Sequence, residues 1–176
     1  MRKVTLDTIL VRAKPGHRTR GWLMAGPLAL PVALGRGGIR ANKREGDGGT
    51  PRGTFRLRRV WWRPDRATRP RTQLPVRRIG VGDGWCEDPR DRHYNQPIRL
   101  HAADPGDRLK RADNLYDLII ELDHNTRPRV AGRGSAVFVH VARPGFAPTA
   151  GCVALKVDAL RRLIARAGPR TRIVVR

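Results

Sequence analysis

The chain has few of the residues that build cross-linked, metal-bound or membrane-spanning proteins. Only two of its 176 residues are cysteines, Cys86 and Cys152. Two cysteines are too few for a disulfide framework, and no Cys-x-x-Cys pair predicts a zinc site. No stretch approaches the roughly 20 apolar residues of a membrane-spanning helix. The sequence therefore predicts no metal, no cofactor and no transmembrane segment, and it leaves open a single bond between the two cysteines.

Several well-known catalytic motifs are also missing. Gly35-Arg-Gly37 lacks the third glycine of a dinucleotide-binding loop, because position 40 is Arg. No phosphate-binding Gly-Lys-Ser/Thr sequence, no His-Glu-x-x-His and no Gly-x-Ser-x-Gly occurs. These absences exclude the commonest nucleotide-binding, zinc-protease and serine-hydrolase patterns.

Acidic residues are scarce, and the formal net charge is +22. One interpretation is a surface for a polyanion, such as nucleic acid or an anionic wall polymer. The other is an arginine-rich but merely solvated surface. The arginines are spread along the whole chain, and no nucleic-acid-binding motif accompanies them. We therefore favour the second interpretation and do not expect nucleic acid as a partner, while an anionic wall polymer stays open.

The first 16 residues, MRKVTLDTILVRAKPG, start with basic residues but contain no unbroken apolar run and no small-residue cleavage site. This pattern is not typical of a secretory signal peptide. On sequence alone, the expected location is the cytoplasm.

Apolar residues alternate with polar ones in residues 4–12 and 55–62, and other short runs are mostly apolar; both patterns predict strands. One strand pair, within 21–34, is broken at Gly26-Pro27, and Trp61 and Trp62 must face opposite sides of their strand. A single helix is predicted late, ending at Gly168-Pro169. We expect one mainly β domain over residues 1–176 with one late α-helix. The other predicted strands cover residues 4–12, 55–62, 116–122, 136–142 and 171–175.

The segment HVARPGFAPTAGC, residues 140–152, carries the best candidate for chemistry. His140 ends a predicted strand, and a Pro- and Gly-containing loop leads back to Cys152. A cysteine needs a base or a positive neighbour to react at neutral pH, which His140 would supply. Gly151 would let the amides around Gly151 and Cys152 point at one spot and bind an oxyanion. The spacing fits equally well a buried structural cysteine beside a strand-end histidine.

Three more residues are candidates for substrate binding. Tyr94 and Asn95 lie in a polar loop, GVGDGWCEDPRDRHYNQP (80–97), and Thr149 lies just before the Gly151-Cys152 pair. An ordinary turn with an asparagine cap explains Tyr94 and Asn95 equally well. Lys43, Glu45 and Asp47 are expected to form a charged surface cluster that holds the preceding Gly-rich loop.

Several segments together resemble the L,D-transpeptidase (YkuD-type) family. The family's active-site motif has a histidine at the end of a strand, followed after a loop by Ser/Thr-His-Gly-Cys. His140, Thr149, Gly151 and Cys152 are similar to this motif. Ala150 stands where the family usually has the second histidine, and Ala154 where it often has Arg or Asn. GRGGI…KREGDGGTPRGTFRL (35–57) is similar to the family's entry block. WCEDPRDRHYN (85–95) and LYDLIIELDHN (115–125) resemble blocks of a short proteobacterial branch.

This resemblance implies a mixed β-sandwich fold with a helix and a metal-free cysteine acyltransferase. Cys152 would attack a peptidoglycan stem tetrapeptide at the meso-diaminopimelate–D-Ala bond, release D-Ala and form a thioester that an amine resolves. The resemblance also implies inactivation by carbapenems and a place in the cell envelope or periplasm. The alternatives are an L,D-carboxypeptidase that hydrolyses recycled muropeptides in the cytoplasm, and a basic, non-enzymatic module that binds polyanions.

Overall fold

A computed structural model describes residues 5–176 of the chain. It contains fourteen strands and one α-helix within these residues, so the expectation of a mainly β fold with one late helix is confirmed. The strands are β1 (Thr8–Ala13), β2 (Arg20–Ala25), β3 (Leu28–Ala33), β4 (Ile39–Arg40), β5 (Thr50–Pro51), β6 (Gly53–Trp62), β7 (Val76–Arg78), β8 (Asp83–Trp85), β9 (Pro97–Arg99), β10 (Asp107–Arg108), β11 (Leu118–Leu122), β12 (Phe138–Val141), β13 (Val153–Leu155) and β14 (Arg172–Val175), and the helix is α1 (Val157–Arg166).

The main sheet closes on itself, which corrects the sandwich expected from the resemblance. Its order is β11-β12-β13-β3-β2-β1-β14-β6-β7, and β6 also pairs with β11. The long strand β6 makes this closure, because its first half pairs with β14 and its second half with β11. The result is a barrel-like sheet of mixed strand direction.

Most local predictions agree with the structure. The break at Gly26-Pro27 separates β2 from β3, as predicted. The late helix buries Leu160, Leu163 and Ile164 along one side, and it ends at Arg166, two residues earlier than predicted. The strand predicted over residues 4–12 is β1 from Thr8, while residue 4 lies outside the described residues. Within residues 5–176, no helix has the length and apolar character to cross a membrane.

Apolar side chains form two layers on opposite sides of the sheet. The larger layer lies inside the closed sheet and includes Trp62 together with the buried side of α1. The smaller one lies outside it, and there Trp61 packs with Trp85 and Phe138. Trp61 and Trp62 thus face opposite sides, as predicted, and both are buried. Strand β8, which carries Trp85, belongs to a small sheet of order β10-β8-β9. Strand β8 lies within the segment 80–97 that was predicted as a loop, and β10 lies after it.

Candidate active site

The folded chain brings His140 and Cys152 to one place on the outer apolar layer. His140 lies in β12, and Cys152 directly precedes β13, which pairs with β12 in parallel so that Val139 faces Val153. His140 and Cys152 are therefore diagonal neighbours on the same side of two adjacent strands. Both line one cavity of about 360 Å³. Thr149 and Gly151 line it as well.

The Cys152 thiol is almost completely enclosed, with 7% of the residue exposed. Its sulfur donates a hydrogen bond to the Ala136 carbonyl oxygen (3.2 Å) and accepts one from the Phe138 amide (3.3 Å). Burial raises the pKa of Cys152 to about 12, although the Phe138 hydrogen bond acts in the opposite direction. Burial disfavours the charged form, so this cysteine rests as a neutral thiol. Both Cys152 and Cys86 are free and buried, so the bond left open between them is not formed.

The His140 imidazole is also buried and neutral. Its Nδ1 lies 2.8 Å from the Val141 carbonyl oxygen, which can only accept, so Nδ1 carries the proton and Nε2 is left as an acceptor. Burial lowers the pKa of His140 to about 4. The Tyr116 ring packs edge-on against the imidazole, with ring centroids 5.4 Å apart. No hydrogen bond joins His140 to Cys152, because the thiol points at Ala136.

Gly151 is required by the local geometry. Its φ is +144°, and a Cβ atom there would lie 2.8 Å from the Gly49 carbonyl oxygen. Its amide donates to Thr149 Oγ1 (3.1 Å), and Thr149 Oγ1 donates to the Cys152 carbonyl oxygen (2.6 Å). The Gly151 amide is therefore engaged inside the turn. Within residues 5–176 the Cys152 amide makes no hydrogen bond, in contrast to the Gly151 amide.

Tyr94 and Asn95 do not line the cavity but support its wall. The Tyr94 hydroxyl donates to Glu45 Oε2 and accepts from the Gly134 amide (3.0 Å). Asn95 Oδ1 accepts from the Trp85 indole and from the Ala136 amide, each at 3.1 Å. Asn95 thus fixes the residue whose carbonyl receives the Cys152 thiol. Both side chains are buried and satisfied inside the protein, and their substrate-binding role stays a prediction.

The charged group predicted in the entry block holds the Gly-rich loop, but it is less exposed than expected. Lys43 is only 6% exposed, and its ammonium contacts Asp47 Oδ1 at 2.6 Å. Asp47 also accepts hydrogen bonds from the amides of Arg44 and Gly49. Lys43 and Glu45 both line the cavity, so this group forms part of the candidate site as well as a brace.

The cavity wall carries charges of both signs that the sequence motifs did not indicate. Glu87 lines the cavity with part of its surface exposed. Desolvation by the surrounding protein raises its pKa to about 7, and the Asp107 and Glu45 carboxylates contribute to the same shift to a smaller extent. Asp107 accepts a hydrogen bond from the Tyr116 hydroxyl at 2.8 Å. In the sequence, only the acidic character of the 80–97 loop could have pointed to these carboxylates. The fold, and not the local sequence, brings Glu87 and Asp107 to the same cavity. The cavity's cationic residues are Arg36, Lys43, Arg111 and Arg143.

Comparison with known proteins identifies the family. A family model described as YkuD, L,D-transpeptidase catalytic domain, matches residues 10–175. No curated protein and no solved structure matches the chain.

Proposed function

This chain belongs to the YkuD family of L,D-transpeptidase catalytic domains, and from that premise we propose that it is a cysteine acyltransferase acting on peptidoglycan stem peptides. The observation that carries the proposal is the shared cavity of Cys152 and His140, the two residues that match the family motif. The remaining matched residues, Thr149 and Gly151, form the turn that presents the cysteine.

Acylation begins from the neutral pair. The Cys152 thiol leaves the Ala136 carbonyl and gives its proton to His140 Nε2 while the sulfur attacks the peptide carbonyl. The proton on Nδ1 stays with the Val141 carbonyl, which holds the ring in the tautomer that can accept. The new C–S bond gives a tetrahedral oxyanion, and the free Cys152 amide donates to it.

Collapse of this intermediate breaks the C–N bond and completes the first half-reaction. The His140 imidazolium gives its proton to the leaving nitrogen, so D-Ala departs and a thioester on Cys152 remains. In the second half, the neutral imidazole accepts a proton from an incoming amine, which attacks the thioester and restores the thiol. Each proton that His140 accepts is thus passed on within the cycle, and no cofactor is consumed.

Mixed charges on the wall suit a substrate with both amino and carboxyl groups. The stem peptide proposed here carries both, at its diaminopimelate residue and at its D-Ala end. The carboxylates of Glu45, Glu87 and Asp107 can pair with ammonium groups. The cavity's arginines can bind carboxylates through bidentate hydrogen bonds. A purely apolar acyl substrate would leave these charges without partners.

The first test of this proposal uses a carbapenem, whose lactam carbonyl is attacked in the same way as the peptide carbonyl. Intact-mass measurement of the reduced, folded protein should show an added mass equal to one drug molecule. Cys152→Ala should abolish the adduct, whereas Cys86→Ala should retain it, because Cys86 lies outside the cavity lining. An adduct that follows Cys86, or no adduct at all, would contradict the assignment of Cys152.

The same protein should release D-Ala from a muropeptide tetrapeptide. Added D-amino acid should appear in an exchanged product if an amine resolves the thioester, whereas a tripeptide alone identifies water as the acceptor and favours the carboxypeptidase alternative. Failure to release D-Ala under either condition would reject both. We expect a transpeptidase to act in the cell envelope, and a hydrolase of recycled muropeptides to act in the cytoplasm.

A further inference from the structure

The outward side of strands β3, β2, β1, β14 and β6 carries a continuous uncharged row. Leu10 pairs with Met24 on one side and with Val174 on the other. Met24 pairs in turn with Ala29, and Val174 pairs with Thr54. Leu10, Met24 and Val174 are each partly exposed. Five strands thus present a band of apolar and small side chains to the outside.

Arginines lie on both sides of this row. On one side Arg12 is the cross-strand partner of Trp22, and on the other Arg172 is the partner of Arg56. We call the uncharged row, together with these four residues, the arginine-flanked face. It contains no acidic side chain.

Trp22 is the feature that distinguishes this face from an ordinary basic surface. It is 40% exposed, and it is the only exposed aromatic residue among residues 5–176. Its cross-strand neighbours are Arg12 and the exposed Pro31. A large aromatic side chain next to an apolar row and a cation is typical of proteins that lie at a membrane–water interface.

The arginines of this face are not neutralised within the described part of the chain. No ion pair involves Arg12, Arg56 or Arg172 within residues 5–176. Arg172 and Arg56 are cross-strand partners in the register, and the Arg172 guanidinium donates to the Arg170 carbonyl oxygen at 2.8 Å. These arginines therefore carry positive charge that no carboxylate of the described residues pairs with, and a negatively charged surface outside the protein can supply the partner.

We propose that the arginine-flanked face binds the surface of an anionic lipid bilayer. A soluble polyanion would satisfy the arginines but would leave Trp22, Leu10 and Met24 exposed. An anionic bilayer satisfies both, because its headgroups attract arginine while its interface accepts aromatic and aliphatic side chains. This inference does not depend on the reaction proposed for Cys152.

The face is connected to the active-site loop. Arg20, at the start of β2, donates a hydrogen bond to the Gly145 carbonyl oxygen at 2.9 Å. Gly145 lies in the segment between His140 and Cys152. A protein bound through this face therefore holds the loop of the candidate site close to the edge of its membrane contact.

The test compares sedimentation with phosphatidylcholine vesicles and with vesicles that also contain phosphatidylglycerol. The protein should sediment only with the second kind, with a blue shift of its tryptophan emission. Trp22→Ala should weaken binding by about tenfold, the loss expected for one buried aromatic side chain, and should remove the shift, because the other three tryptophans are already buried.

A matched pair of charge variants separates this face from net charge alone. Arg12→Gln with Arg56→Gln should weaken vesicle binding much more than Arg161→Gln with Arg162→Gln, which removes the same charge from α1. Equal losses in the two double variants, or Trp22→Ala binding like the parent, would overturn the proposal in favour of general attraction of a basic protein to any polyanion. Thermal unfolding of each variant verifies that it is folded.

Discussion

Burial acts on the two predicted catalytic side chains in opposite directions. It raises the pKa of the Cys152 thiol to about 12 and lowers that of the His140 imidazole to about 4. Each shift favours the uncharged form, because neither group can be solvated when charged. Across the neutral range the resting pair is therefore thiol and imidazole. A pre-formed thiolate–imidazolium pair is not the ground state of this site.

This protonation state predicts the pH dependence of carbapenem acylation. The second-order rate constant should rise as the pH increases through about 4, because His140 must lose its proton to act as a base. It should then stay level through the neutral range, since Cys152 remains a thiol until far higher pH. The measurement is adduct formation followed by mass spectrometry over a pH series. A rate that climbs around pH 8.5, where an ordinary cysteine titrates, would contradict the buried neutral thiol.

His140→Gln provides the control for this profile. Without the imidazole only the thiolate can attack, and its fraction grows about tenfold per pH unit below its pKa. The variant should be slow at neutral pH, and its rate should increase steadily with pH instead of levelling. A variant that keeps the level profile would show that His140 is not the base.

The wall behind the nucleophile depends on contacts between loops. The Asn95 amide group joins Trp85 and Ala136 on its oxygen side. On its nitrogen side it donates to the carbonyl oxygens of His124 (3.0 Å) and Asn125 (2.9 Å). Four hydrogen bonds from one buried side chain thus connect β8 and the loop after β11 to the segment that leads into β12. This segment includes the carbonyl that receives the Cys152 thiol.

Asn95→Ala should therefore destabilise the protein and slow acylation together. It leaves the Trp85 indole and the Ala136 amide buried without acceptors, at a cost of about 3 kcal/mol in the free energy of unfolding. Urea unfolding and the carbapenem rate measure the two effects. Asn114→Ala, at an exposed position, should change each only slightly. Loss of stability with an unchanged acylation rate would show that Asn95 does not position the site.

Elements with a strong local pattern were predictable from the sequence, and those created by tertiary contacts were not. The short apolar run VFVHV was enough to place β12, and the spacing of Leu160, Leu163 and Ile164 was enough to place α1. By contrast, β8 and β9 are three residues each and have no room for a periodic pattern. The contact between the Tyr94 hydroxyl and Glu45 could not be predicted, because nothing in the local sequence shows that these two residues lie within reach of each other.

The two alanines beside the reactive turn have different environments, which the sequence alone could not distinguish. Ala150 is exposed and lines the cavity, so a histidine at this position of the motif would enter the candidate site. Ala154 is 1% exposed and is the cross-strand partner of His140. A larger residue at position 154 would have to displace packed neighbours. The sequence motif identifies both differences. Only the burial of each residue shows that Ala150 borders the cavity whereas Ala154 is packed inside the protein.

The closed sheet makes the two ends of the chain depend on each other. Strand β1 near one end pairs in parallel with β14 near the other, and β14 also pairs with β6. Since β6 is joined to β11, and β11 to β12, the strand that bears His140 belongs to the same closed circuit. Support for the candidate site therefore extends to the last residues of the chain.

Closure through β14 can be tested with two neighbouring residues of opposite orientation. Ile173 is fully buried in the main apolar layer, whereas Val174 faces outward. Ile173→Ala should lower the free energy of unfolding by about 3 kcal/mol, and Val174→Ala by less than about 1 kcal/mol. Urea denaturation of both variants measures the difference. Because the sheet is continuous, Ile173→Ala should also increase amide hydrogen exchange in β1 and β6, the two partners of β14. Similar costs for the two variants, or increased exchange confined to β14, would show that β14 is an appended strand and does not close the sheet.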